Sequence, residues 1–305
     1  MKHLLKRSMA VAALATTALL VSSGPAAAVV GGRDATRTYP GGTFVSITFP
    51  GLGVAACGGS LIHPQWLLTA AHCVSDQAAA PQVVPVDGDA VTARVGSRNR
   101  TAGGVLVRGK DVYLHPDWAW GAPTGLPISD LALVKLDRPV FGVPLMPLDL
   151  GRLNTRAPLR MIGWGLTAFP PPPDADLPTL LQERDTTLLK PGACDGGFIG
   201  AGERCLGAGA CYGDSGSPAL HRTRTAAWTA RARWASAGLA SRETNLDDPC
   251  GQPTVYTDLS APPFRDWIRS TIEHRHMPTT RQTPPAVNAA AVNATLLNQL
   301  KLEFH

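Results

Sequence analysis

Charge is scarce in this 305-residue chain: 17% of its positions are Asp, Glu, Lys or Arg, against 44% that are apolar. Disordered and fibrous proteins have the opposite balance, so the sequence encodes a sizeable core, in one large domain or two packed ones. Long apolar runs are missing as well. Met9 to Val21 falls short of the about 20 residues that cross a bilayer, and no later segment is long enough. Stretches with helical period are few, while 31 glycines and 27 prolines fill about one position in five. That combination favours an all-β fold rich in turns over a helical bundle. There is no CxxC pair, no HExxH helix and no loop with clustered carboxylates, and most of the eight histidines stand far apart. No metal and no cofactor are therefore expected. Nor does one sign of charge dominate. The first 28 residues hold Lys2, Lys6 and Arg7 and no acid, and beyond them 25 basic side chains face 23 acidic ones. Nucleic acid is excluded as the expected partner.

What is present begins with the two ends. Residues 1–28 run from a basic start through the apolar stretch to Ala26-Ala27-Ala28, the pattern of a secretory signal peptide. The mature protein is expected to be secreted and extracellular, with no membrane association once the signal is cut. From about His276 the composition turns to Pro, Thr, Ala and Asn, so residues 276–305 read as a disordered tail. Six cysteines, an even number behind an export signal, indicate three disulfides among Cys57, Cys73, Cys194, Cys205, Cys211 and Cys250, but spacing alone does not choose the pairing. Arg222, Arg224, Arg231 and Arg233 alternate around Ala226-Ala227-Trp228-Thr229, as the solvated face of a hairpin.

Three short segments place a reactive side chain in an unusual setting. Thr69-Ala70-Ala71-His72-Cys73 sets a histidine among small residues beside a cysteine. In Ser129-Asp130-Leu131-Ala132-Leu133-Val134 one acid precedes an apolar run that reads as a buried strand. Cys211-Tyr212-Gly213-Asp214-Ser215-Gly216-Ser217-Pro218 holds a serine between glycines, where the backbone can turn tightly and aim its N–H groups at a bound oxygen. A lone residue of each kind reads as structural. A histidine, an acid and a serine in that order, with Gly-Asp-Ser-Gly around the serine, resemble the chymotrypsin/trypsin family of serine proteases. Further segments carry the resemblance: Val29-Val30-Gly31-Gly32, Cys57-Gly58-Gly59-Ser60-Leu61-Ile62, Gly163-Trp164-Gly165 and Trp267-Ile268.

The resemblance implies two packed antiparallel six-stranded β-barrels with a short C-terminal helix, one over about 29–145 and the other over about 146–275. It implies disulfides Cys57–Cys73, Cys194–Cys205 and Cys211–Cys250, and a triad of His72, Asp130 and Ser215 with the N–H groups of Gly213 and Ser215 as oxyanion donors. Asp214 is expected to pair with the α-ammonium of Val29, which cleavage after Ala28 exposes directly. The floor of the primary pocket falls at Gly209 and Ala210, where trypsin's acid is missing, so the usual Lys/Arg preference is not expected. The stretch from Cys205 to Cys211 is also shorter than the family's. Ser241 matches the serine of the substrate-binding strand, followed by Arg242 and Glu243 where the family has Trp and Gly; a shifted alignment uses Ser236-Ala237-Gly238 instead. Expected partners are protein or peptide substrates, with the chain acting as a monomer. Two other hydrolase types fit poorly: an α/β-hydrolase needs Gly-x-Ser-x-Gly and a late histidine, and a GDSL esterase a late Asp-x-x-His. The rival of another class is a protease-like binding protein that kept the fold and lost turnover.

Overall fold

The computed structural model describes residues 29–76, 79, 82–120, 127–172, 176–223 and 233–273. The expected signal segment, the tail and the tip of the arginine hairpin with Arg224 and Arg231 lie outside the described residues. Its strands are β1 (Arg33–Asp34), β2 (Gly42–Phe49), β3 (Gly53–His63), β4 (Trp66–Thr69), β5 (Val91–Val95), β6 (Val105–Leu114), β7 (Ala119–Trp120), β8 (Pro127–Ile128), β9 (Ala132–Leu136), β10 (Pro158–Gly163), β11 (Gln182–Thr187), β12 (Glu203–Leu206), β13 (Pro218–Thr223), β14 (Arg233–Glu243) and β15 (Thr254–Asp258). One helix, α1, follows at Pro262–Ile272.

Six strands close an antiparallel barrel in the order β2-β3-β4-β9-β6-β5. The alternation that a half-buried strand requires is plain in β5, where Val91, Ala93 and Val95 are buried and Thr92 and Arg94 less so. The second unit is a sheet in the order β1-β11-β10-β13-β14-β15-β12. Its two ends meet where Leu188, just past β11, bridges Leu206 at the end of β12 and the Leu189 N–H donates to Cys205 O at 2.8 Å. The six strands β10 to β15 thus wrap into a second barrel, with β1 paired to the edge of β11 that β10 leaves free. β1 comes from the N-terminal part of the chain yet pairs with the second barrel, Arg33 against Glu183 and Asp34 against Gln182. Arg33 and Tyr39 both bond Glu183, fastening that crossing.

Helix α1 opens with prolines in its first turn, where no backbone N–H is lost. Phe264, Trp267 and Ile268, spaced on one face, pack with Trp66, Leu68, Leu131 and Leu133 of the first barrel. The barrels meet across Gly58 of β3. Its N–H donates to Ser215 O at 2.7 Å, and a Cβ there would stand 1.9 Å from Ser217 Oγ, so only glycine allows the approach.

Candidate active site

His72 sits in a single 3-10 turn, His72–Val74, directly after β4. The Cys57–Cys73 disulfide ties that turn to β3. Asp130 immediately precedes β9 and is fully buried. Because β4 and β9 are antiparallel neighbours, with Thr69 opposite Ala132, the histidine and the acid emerge side by side at one barrel end. His72 Nδ1 lies 2.7 Å from Asp130 Oδ2, and the His72 backbone N–H donates to Asp130 Oδ1 at 2.9 Å. Ser241 Oγ donates to Asp130 Oδ2 at 2.7 Å, and Thr257 Oγ1 to Asp130 O at 2.9 Å. Burial by itself raises the Asp130 pKa. The charge of His72 and the bonds from His72 and Ser241 outweigh it and hold the carboxyl below its ordinary value.

Ser215 comes from the other barrel, in the loop before β13. The loop is folded on itself by Asp214 N–H to Cys211 O and Ser217 N–H to Asp214 O, both 2.9 Å. The Cys211–Cys250 disulfide fastens its start, while Cys194–Cys205 joins the 3-10 segment Pro191–Gly197 to β12. Gly216 has φ +74°, and a Cβ on it would meet Thr69 Oγ1 at 2.3 Å and Ala70 N at 2.9 Å, so the serine loop is pressed against the residues that lead to His72. Ser215 itself is half-buried. Among the contacts of the described residues no bond takes up the N–H of Gly213 or of Ser215.

Asp214 is buried. Its partners are the N–H groups of Gly165, at 2.8 Å, and Cys211, at 3.0 Å. Burial pushes its pKa up to about 7, and the two N–H groups offset only part of that. Val29 is buried in the second-barrel cluster with Tyr256, the phenol that burial and then the Asp214 charge push up. Val30 N–H donates to Gly209 O at 2.8 Å, and Arg184 Nη1 donates to Val30 O. No bond between Val29 and Asp214 occurs among the described contacts.

A family model described as Trypsin matches residues 29–268. The chain belongs to the trypsin family. Its similar proteins include chymotrypsin-like elastase family member 3B of Homo sapiens, 29% identical over 269 residues and covering 82% of this chain and 91% of that relative. The same-named protein of Macaca mulatta is 30% identical over 274 residues, covering 82% and 96%. Chymotrypsin-like elastase family member 3A of Homo sapiens is 28% identical over 269 residues, covering 82% and 91%. This trypsin-family chain is accordingly a serine endopeptidase, a hydrolase whose substrates are proteins or peptides.

In this endopeptidase Ser241, not Ser236, reaches the acid; Ser236 Oγ donates to Gly238 O at 3.3 Å within its own strand. Arg242 turns away from the cleft to Glu203, at 2.6 and 2.7 Å, and to Gly197 O at 2.7 Å. Glu243 lies opposite Thr254 across β14 and β15, and Leu206 flanks Thr254 on its other side. Ala210 is buried, and a Cβ on Gly209 would meet the Arg184 Nη1 at 2.9 Å. Thr254, Thr257 and Arg184 carry no motif and escape a reading of the sequence; only the β15 register and the fold bring them here. Arg222 faces Trp234 in the hairpin and places its guanidinium 5.6 Å from that ring. His72, Cys57 and Cys73 bring three potential metal ligands together, but both sulfurs are consumed by their disulfide and offer no thiolate.

Proposed function

We propose that the chain is a secreted endopeptidase in which Ser215 attacks the scissile carbonyl, His72 takes the serine proton and returns it to the leaving amine, and Asp130 orients the ring. The observation that carries this reading is the His72 Nδ1 to Asp130 Oδ2 bond of 2.7 Å at the barrel junction where the Ser215 loop docks. That bond fixes the tautomer whose other nitrogen serves the serine, and the buried, ionised carboxylate stabilises the imidazolium formed during attack. The N–H groups of Gly213 and Ser215 hold the developing oxyanion, each donor contributing about 3–4 kcal/mol in related chemistry.

Cleavage after Ala28 supplies an α-ammonium at Val29, which neutralises the buried Asp214 carboxylate. The protease is thus active once exported. Its three disulfides suit an oxidising, extracellular location. Primary specificity departs from Lys and Arg, because Gly209 and Ala210 bring no acid to the pocket floor and the charge packed against Gly209 is the cation of Arg184. Glu243 and Thr254 line the neighbouring wall.

The test is cleavage-site profiling of the secreted protein on a mixed peptide library by mass spectrometry, beside Ser215→Ala. Wild type cuts, and the variant folds, is secreted and does not cut. Cleavage by the variant at the wild-type rate removes the triad; wild-type cuts confined to Lys and Arg remove the specificity reading.

A further inference from the structure

The N–H of Gly213 can serve as an oxyanion donor only if its peptide plane is held, and Gly213 has φ +90° and no side chain to hold it. Two neighbours flank it. A Cβ on Gly213 would lie 3.1 Å from Gly165 Cα on one side, and 3.2 and 3.6 Å from the two methyl carbons of Leu177 on the other. Leu177 packs against two apolar clusters at once, one containing Trp164 and Tyr39, the other Tyr212 and the Cys211–Cys250 disulfide.

What fixes Leu177 comes from the other barrel. The turn between β5 and β6 presents Arg98 and Arg100 to the segment Asp176–Leu181. The Arg98 carbonyl accepts from Leu181 N–H at 2.6 Å and from Trp164 Nε1 at 3.2 Å. The Arg100 N–H donates to Thr179 O at 2.9 Å. Its guanidinium donates to Pro178 O at 3.1 Å, Leu177 O at 2.8 Å and Asp176 Oδ2 at 2.7 Å. The Asp176 side chain is 78% exposed, so that ion pair contributes little, and the carbonyl bonds are what hold the segment. The turn is rigid in its own right. Asn99 Oδ1 accepts from the N–H groups of Thr101 and Ala102, and Arg94 donates to Arg100 O at 2.9 Å and Gly103 O at 2.6 Å.

We propose that Arg100 and Leu177 are positioning residues for the oxyanion loop, with the first barrel holding Leu177 against Gly213 so that the Gly213 N–H faces the reacting carbonyl. This rests on the serine protease reading above and adds a pair of residues outside the triad. Neither one moves a proton; they act through Gly213.

The experiment compares wild type, Leu177→Ala, Leu177→Met, Arg100→Ala and Asp176→Ala. It measures kcat per active site titrated with a fluorophosphonate, KM, inhibition by a peptide boronate whose oxyanion occupies the same donors, and inhibition by the product peptide. Leu177→Ala and Arg100→Ala lower kcat about tenfold or more and weaken the boronate by a similar factor, with KM and product-peptide binding within about twofold. Leu177→Met, which keeps the volume, restores most of the rate, and Asp176→Ala matches wild type. Unchanged kcat per titrated site in Leu177→Ala, whatever its melting temperature, overturns the inference alone. So does equal weakening of boronate and product peptide. A wild type that the fluorophosphonate does not label overturns the parent reading instead.

Discussion

Asp130 and Asp214 are both buried carboxylates of one cleft, and their surroundings drive them in opposite directions. Asp130 faces the His72 ring and accepts from the His72 N–H and from Ser241, so it stays ionised below its ordinary range. Among the described residues Asp214 meets two backbone N–H groups and no cation, so burial lifts it to about 7. At Asp214 the two N–H bonds offset only part of the desolvation, whereas at Asp130 the charge and bonds of His72 with the Ser241 bond outweigh it. The first acid is complete within the described chain, whereas the second still lacks a cation.

The sharpest way to break this contrast is to strip Asp130 of its charge. Asp130→Asn keeps the shape but lets the ring adopt the wrong tautomer, and kcat falls by about 10⁴ with folding retained, as measured by titrated-site kinetics and calorimetry. Asp214→Asn leaves the triad alone and removes the partner of the Val29 ammonium, so activity drops by about two to three decades. The pH dependence separates the two acids again. A chain carrying extra residues ahead of Val29 keeps Asp214 unpaired. Its folded pKa is raised, so the protonated form stabilises the fold; that contribution is complete below about 3.8 and disappears as pH rises to about 7. Denaturant melts across that window lose on the order of 4 kcal/mol, and Asp214→Asn flattens the slope. The processed chain shows no such loss, and its ammonium contribution fades only above the ordinary α-amino range of about 7.7–8.0. The smallest effect belongs to Ser241→Ala, which withdraws one of several donors from Asp130: kcat falls about tenfold, and the acid limb of the pH–rate profile moves up.

Candidate residues whose setting is local were legible. His72, Asp130 and Ser215 each stand beside small residues, a buried strand or glycines that announce a special setting. The all-β class followed from composition, and the barrels and pairing of cysteines came only with the resemblance. Long-range placement was not legible. The two residues of β1 are too few to show a period, and their partners lie 150 and 148 positions away, so nothing local assigns them to the second barrel. Closure of that barrel through Leu188 and Leu206 is a matter of where two strand ends arrive. Leu177 sits in a proline-rich stretch that reads as a loop, and its contact with Gly213 depends on a turn of the other barrel.

The N-terminal crossing carries a consequence for synthesis. Val29 and β1 are translated long before Gln182, Glu183, Arg184 and Gly209, which build their seat. A nascent or truncated molecule that stops before Gly209 has His72 and Asp130 but lacks Ser215 and the carbonyl that receives the Val30 N–H. Seating of Val29 then reports that Arg184 and Gly209 have arrived, and on the proposed reading proteolytic competence waits for that event.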